Sequence, residues 1–260
     1  MTDFNLELRV AEAIAREAGK LMLVERGKGF EVDFKAAHDV VTRVDRLVED
    51  FIRGELKRAF PSDTVHGEEH GVSGSADRIW YVDPIDGTLN FTQGIPMYCV
   101  SIGLEVAGQM VIGVIYEPNR DELFSGARGS GVKLNGQRVQ CSATEKLADA
   151  VLATGFPPPR EGDVDNISIF ARVARKTRNV RRLGSAAIDL AYVACGRLDG
   201  FWEFNLSPWD TAAGFLLVEE AGGRVTDERG GAYQVNAKGI VAVTNGLHGQ
   251  LMGLIEQEEQ

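Results

Sequence analysis

The apolar positions of this chain fall into two successive rhythms. Over residues 5–24, Leu6, Val10, Ile14, Ala18 and Leu21 recur at intervals of three and four, with Glu7, Arg9, Glu12, Arg16 and Lys20 on the other faces. That spacing predicts an amphipathic helix. A second helix is expected over 42–58, with Val44, Leu47, Val48, Phe51, Ile52 and Leu56 as its apolar face and Pro61 as its stop. The polar, glycine-bearing stretch 25–40 between them has no clear period. From 78 to 140 the pattern changes to that of strands, at 78–82, 98–106, 110–117, 122–126, 131–134 and 137–140. Ala107-Gly108-Gln109 and Asn135-Gly136 carry hairpin chemistry, so this region reads as an antiparallel meander.

Beyond about 145 strands and helices alternate. Strands are expected at 150–154, 179–183, 199–204, 223–226 and 240–244, and helices at 165–177, 185–195, 208–221 and 247–258. Alternation of this kind predicts crossover units on a second sheet. The expected fold class is therefore α/β (α+β) in one compact body. An N-terminal subdomain over 1–145 holds the antiparallel sheet, and a C-terminal α/β subdomain covers 146–260.

Composition then narrows the function classes. With 44% apolar and 25% charged residues over 260 positions, the chain is neither disordered nor a coiled coil. Acidic residues outnumber basic ones by 38 to 28, a net charge of −10, which argues against nucleic acid or an anionic membrane as the main partner. Cys99, Cys141 and Cys195 form no CxxC pair, and no secretory signal or spanning segment is visible, so a cytoplasmic protein with reduced thiols is expected. The run 175–182 places five cations in eight residues, either a solvated edge, a subunit contact or an anion-steering patch. His38, His66, His70 and His248 have no metal-ligand spacing and read as surface or structural residues.

The densest chemistry lies in Trp80-Tyr81-Val82-Asp83-Pro84-Ile85-Asp86-Gly87-Thr88-Leu89-Asn90-Phe91. A strand ends in an acid, Pro84 withholds an N–H, Ile85 can offer its carbonyl, and Asp86 adds a second carboxylate three residues on. Two carboxylates and a carbonyl in four residues suit a hard cation such as Mg2+. Gly87 and Thr88 open the next turn or short helix, where free N–H groups favour an anion. Three other acidic spots stay open on local grounds. Glu68 and Glu69, bracketed by Gly67 and Gly71, are either solvated or ligating. Asp45 follows Thr42 by three, and Asp210 follows Ser207 by three, so each either closes a capping box or serves a site.

The combined order of these motifs resembles the inositol monophosphatase family, lithium-sensitive Mg2+-dependent sugar phosphatases. The resemblance runs from about residue 40 to the C-terminus. It rests on Asp45, Gly67-Glu68-Glu69, the 80–91 string, Leu183-Gly184-Ser185-Ala186-Ala187, Trp209-Asp210-Thr211-Ala212-Ala213-Gly214 and Glu219-Glu220-Ala221-Gly222-Gly223. It implies a layered αβαβα sandwich and a homodimer. It also implies that Glu68, Asp83 and the Ile85 carbonyl hold one Mg2+, that Asp83, Asp86 and Asp210 hold a second, and that a weaker third ion sits near Glu68 and Asp83. Mn2+ is the expected substitute. Thr88, hydrogen-bonded to Asp45, would orient the attacking water together with Glu68, while Gly87 and Thr88 hold the phosphate. Asp86, Ser185, Ala186, Glu203 and Asp210 would line the space for a phosphorylated polyol or sugar.

The implied activity is hydrolysis of myo-inositol monophosphate to inositol and phosphate by direct attack of metal-activated water. Alternatives on the same core are fructose 1,6-bisphosphate, a 3′-phosphonucleotide or histidinol phosphate as substrate, or a non-catalytic regulatory role. The residue types suit such chemistry in their own right. Carboxylates alone repel a phosphate dianion, and two Mg2+ ions reverse that field. An all-oxygen donor set selects Mg2+ or Mn2+ over zinc.

Overall fold

The computed structural model describes residues 4–29, 32–36, 39–156 and 164–256, with the side chains of 32–36, 39 and 40 outside the description. The first expected helix forms as α1 (Asn5–Gly27). The aperiodic stretch after it contains an antiparallel hairpin, β1 (Val32–Ala36) and β2 (Asp39–Thr42), that the sequence pattern did not disclose. The second helix forms as α2 (Arg43–Ala59), one residue from its expected bounds at each end. Its start is closed by a capping box: the Thr42 hydroxyl accepts from Val44 N at 3.0 Å, and an Asp45 oxygen accepts from Thr42 N at 2.7 Å.

Next come β3 (Thr64–Gly67), β4 (Gly71–Ser73), β5 (Arg78–Asp86) and the short helix α3 (Thr88–Gln93). They are followed by β6 (Cys99–Val106), β7 (Gln109–Glu117), β8 (Glu122–Ala127), β9 (Gly131–Leu134) and β10 (Gln137–Val139). These strands make one sheet in the order β10-β9-β8-β7-β6-β5-β3-β4. The six strands from β5 to β10 are the expected meander. Both tight turns hold a pair of left-handed residues, Ala107-Gly108 (φ 51° and 77°) and Asn135-Gly136 (φ 48° and 82°), as the right-handed twist of a hairpin requires. Strands β3 and β4, of four and three residues, are too short to show a period; β3 runs parallel to β5.

The remaining chain forms β11 (Val151–Thr154), α4 (Asn166–Ala174), β12 (Asn179–Arg181), α5 (Ala186–Ala194) and β13 (Gly200–Phe204). Then follow α6 (Pro208–Glu220), β14 (Arg224–Thr226), β15 (Gly239–Val243) and α7 (His248–Ile255). The second sheet has the order β12-β11-β13-β15-β14. Its β11 is parallel to both neighbours, as crossover units require, whereas β13, β15 and β14 pair antiparallel.

These elements stack as five layers, α1 and α2, the eight-stranded sheet, α5 and α6, the five-stranded sheet, and α4 with α7. The layered αβαβα sandwich is thus the observed fold. Helix α6 lies between two sheets, which is why Thr211–Val218 are buried on every side and no polar stripe survives. It seats on the large sheet by close backbone approach. A Cβ at Gly113 would come within 2.4 Å of the Ala213 carbonyl oxygen, so β7 can carry only glycine there. That seating fixes where the N-terminus of α6, and with it Asp210, meets the sheet. No helix among the described residues is long and apolar enough to cross a membrane.

Candidate metal and phosphate site

Asp83 and Asp86 are three residues apart, which in a regular strand would send them to opposite faces. Here they oppose Ser101 and Cys99, which are two apart on β6, so the register slips by one residue between them. The bulge falls at Pro84, which has no N–H to lend to the ladder, and it turns both carboxyls to the same side. The Asp83 carboxyl accepts from Ile85 N at 3.0 Å, which braces the turn from within.

Glu68 reaches the same place from the neighbouring strand. Gly67 of β3 is in register with Val82, and Glu68 N donates to the Val82 carbonyl at 3.3 Å, so Glu68 follows one step beside Asp83. Asp210 arrives on α6. It occupies the third helical position after Ser207, and one of its oxygens accepts from Ser207 N at 2.7 Å. On β6, the Ser101 hydroxyl donates to the Trp209 carbonyl at 3.3 Å, tying that helix start to the strand opposite Asp83.

Asp45 closes the cap expected of it and also reaches Thr88. One oxygen closes the cap on Thr42, and the other accepts from the Thr88 hydroxyl at 3.1 Å. The Thr88 hydroxyl also lies 2.9 Å from the Ile85 carbonyl, so its single proton is offered to one of two acceptors. Gly87 sits at φ 94°, and a Cβ there would meet the Met97 carbonyl oxygen at 2.9 Å. Only glycine turns the chain from β5 into α3 at this point.

Ser185 caps α5 with its hydroxyl 3.3 Å from Ile188 N, and that hydroxyl donates to Asp86 at 2.6 Å. Ala187 N donates to the same Asp86 oxygen at 2.6 Å. The structure therefore places Ser185 and Ala186, both buried, directly behind Asp86. Glu203, near the end of β13, is also buried; its carboxylate lies against Gly155, where a Cβ would come within 2.1 Å.

The electrostatics follow from this packing. Burial first, then repulsion from Glu68, Asp86, Asp210 and Asp45, hold the Asp83 carboxyl well above the usual carboxylate range. Burial and Asp86 push Asp210 up in the same way, although Ser207 N and a hydrogen bond with Asp83 oppose the shift. Asp86 is raised by burial against the pull of Ser185 and the Ala187 and Ala186 amides. Glu203 is pushed up to about 8 by burial and by Asp210 and Asp86, with Arg182 opposing. Among the described residues, no three Asp, Glu, His or Cys side chains are already drawn to metal-ligand geometry. The donor set nevertheless fits a hard divalent cation. It is all oxygen, Asp83 and Asp86 are buried with Glu68 and Asp210 half-buried beside them, and no basic side chain figures among the main influences on Asp83 or Asp210.

Sequence reasoning missed two buried acids beside this site. Glu49 on α2 is fully buried under the Glu68 turn; its spacing of four from both Asp45 and Arg53 was the available signal. Asp189, one turn into α5, has a buried oxygen with no hydrogen-bond partner, and burial with Glu203 and Asp86 nearby raises it well above its usual range. An acid within Ala-Ala-Ile-Asp-Leu-Ala was the clue. Of the histidines, His66 packs between Tyr81 and Trp209, tilted to the first ring and edge-on to the second, His248 is buried against Thr226, and His70 pairs with Asp50 on the surface. His38 lies outside the described residues.

The chain is similar to known proteins over most of its length. The sequence profile of the inositol monophosphatase family matches residues 5–260. A protein of Mesorhizobium japonicum named inositol-1-monophosphatase is 44% identical over 240 residues, covering 90% of each chain. A Pseudomonas aeruginosa protein named Nus factor SuhB is 43% identical over 248 residues, covering 92% of this chain and 91% of its own. The solved structure of an inositol monophosphatase from Anabaena superposes with a TM-score of 0.90 at 37% identity, covering 99% of this chain and 98% of that one.

Proposed function

The chain belongs to the inositol monophosphatase family, and from that membership we propose that it is a Mg2+-dependent phosphomonoesterase acting on myo-inositol monophosphate. The observation that carries this reading is one acidic group, the buried Asp83 repelled by Glu68, Asp86 and Asp210, standing beside the Thr88–Asp45 hydrogen bond. Glu68, Asp83 and the Ile85 carbonyl would hold one ion, and Asp83, Asp86 and Asp210 a second, with a third, weaker ion near Glu68 and Asp83. Mn2+ would serve in their place. Ions bound there neutralise the phosphate dianion and acidify water.

The protein's own groups do the rest. Thr88, donating its proton to Asp45, keeps its lone pairs to accept from a water molecule and aim it, and Glu68 offers a second acceptor for that water. Asp45 can hold this role because its other oxygen is anchored by the Thr42 N–H and hydroxyl at 2.7 Å each. The N–H groups of Gly87 and Thr88, at the start of α3, face the phosphate without intrahelical acceptors of their own. Ser185 and Ala187 lock the orientation of Asp86.

The substrate assignment rests on Glu203 and its surroundings. Glu203, raised to about 8, is mostly protonated at neutral pH and can both donate to and accept from a polyol hydroxyl. Asp86, Asp210 and Asp189 around it disfavour a second phosphate, with Arg182 the opposing cation. A neutral cyclitol leaving group fits better than a bisphosphate.

The test is phosphate release with Mg2+ from a panel of inositol 1-phosphate, fructose 1,6-bisphosphate, a 3′-phosphonucleotide and histidinol phosphate. The highest kcat/KM is expected on inositol 1-phosphate. Preference for another ester overturns the substrate assignment. Inertness to the whole panel overturns the enzymatic reading and leaves a non-catalytic regulatory role.

A further inference from the structure

Helix α2 sends three residues to one face at intervals of four, Asp45, Glu49 and Arg53. Asp45 reaches Thr88. Glu49, one turn on and fully buried, reaches the other side of the site. One of its oxygens accepts from Glu69 N at 2.6 Å, and the second accepts from His70 N at 3.1 Å. Arg53 donates to that second oxygen at 2.6 Å and to the Ser73 hydroxyl at 3.0 Å, and its remaining nitrogen donates to the Gly71 carbonyl. The turn from Gly67 to Gly71 is thereby hung on one carboxylate and one guanidinium. Gly67 leaves the carboxylate its space, for a Cβ there would lie 2.3 Å from Glu49.

We propose that Glu49 is a positioning residue for Glu68. It fixes the backbone on the C-terminal side of Glu68, while the Glu68 N–H bond to Val82 fixes the N-terminal side. The Glu68 carboxylate then has little backbone freedom left to lose when it takes up an ion. Because Asp45 and Glu49 share one rigid helix, α2 also sets the distance between the water-aiming Thr88 and the Glu68 turn. This inference rests on the reading of Glu68 as a metal ligand, and it assigns Glu49 no contact with substrate or metal.

The test titrates Mn2+ into metal-free wild type and Glu49→Gln, following free Mn2+ by electron paramagnetic resonance, with amide hydrogen exchange measured on both. Glutamine keeps the size of the side chain, but it accepts from only one amide and carries no charge for Arg53. Partners that orient metal ligands are worth about 10- to 100-fold in affinity, so the Mn2+ dissociation constant is expected to rise by about tenfold or more. The Glu69 and His70 amides are expected to exchange faster. Asp199→Asn is the structural control. It removes a buried carboxylate that accepts from Ser142 Oγ and Val151 N at 2.6 Å each in the other sheet, and it is expected to lower thermal stability without moving Mn2+ affinity. In turnover, the Mg2+ requirement of Glu49→Gln should rise while kcat at saturating Mg2+ holds.

Wild type that binds and Glu49→Gln that binds equally overturn this inference alone. Wild type that binds no Mn2+ takes down the metal site as well. Should Glu49→Gln fail to fold, the wild type decides. Protected Glu69 and His70 amides that gain protection with Mn2+ support the inference, and amides exchanging as fast as an open loop overturn it.

Discussion

The Thr88 hydroxyl lies 3.1 Å from an Asp45 oxygen, across 43 residues of sequence. The bond joins the start of α3 to the start of α2, so one carboxylate serves a helix cap and the proposed chemistry, as Asp210 does at the start of α6. Thr88→Val removes the hydroxyl and keeps the shape. A positioned proton acceptor contributes about 10²- to 10⁴-fold, so kcat should fall within that range with KM nearly unchanged. Thr88→Ser should retain most of the activity. Steady-state kinetics of the two variants check this, and equal losses in both would contradict it.

Gly87 is held at φ 94° with the Met97 carbonyl oxygen 2.9 Å from where a Cβ would stand. Backbone strain of this kind costs about 1–3 kcal/mol before any clash is added. Gly87→Ala is therefore expected to lose about 2 kcal/mol or more in denaturant unfolding, together with its phosphatase activity. An alanine variant as stable and active as the wild type would show that the turn is not tight.

How far these features were legible depends on how local their signals are. Helices α1 and α2, the meander and the strand–helix alternation follow from periods that span ten or more residues. The β1–β2 hairpin and β3 and β4 have no such span, because their strands are only three to five residues long. The same division holds at the site. Asp83 and Asp86 were legible because they share a twelve-residue string with Pro84 and Gly87. Their common face was not, because it depends on a one-residue slip against β6. Asp45 and Asp210 each looked like a cap, and each is one; the second role of Asp45 appears only when α3 is folded beside it. Glu49 had only its spacing from Asp45 and Arg53 to mark it, because its partners are backbone amides about twenty residues on.

Burial raises the folded-state pKa of Asp83, Asp86 and Asp210, with repulsion from neighbouring acids adding to it for Asp83 and Asp210, and burial with Asp210 and Asp86 carries Glu203 from 4.5 to about 8. A carboxyl raised in this way favours the folded state fully below its unfolded pKa, and that contribution is lost as pH rises through the folded value. For Glu203 the window runs from about 4.5 to about 8. In chelator, the thermal midpoint should fall between about pH 4.5 and about pH 8. Mg2+ requires ionised ligands, so its addition should release protons and restore the midpoint at the alkaline end. Thermal scans with and without the ion, and calorimetry in buffers of differing ionisation enthalpy, test both. A metal-free midpoint that climbs across this range would contradict the buried acidic cluster.

Glu203 should govern which ester is chosen rather than how fast phosphate leaves. Glu203→Leu removes the hydrogen-bonding group and keeps an apolar bulk in its place. A lost hydrogen bond worth about 1.4 kcal/mol corresponds to tenfold, so KM for inositol 1-phosphate should rise about tenfold. The rate with p-nitrophenyl phosphate, which has no polyol, should change little. Equal losses on both esters would place Glu203 in the chemical step instead.

Asp45, Glu68, Asp83, Asp86 and Asp210 number half the net charge of −10, and the proposed function gathers them into one site. The most direct measurement is phosphate release from inositol 1-phosphate by wild type and Asp83→Asn, each with Mg2+ and with excess chelator. The wild type should turn over only with Mg2+, and Asp83→Asn should lose at least about 10³-fold, the equivalent of ~4 kcal/mol, at any Mg2+ concentration. Full activity of Asp83→Asn, or of the wild type in chelator, would contradict the account.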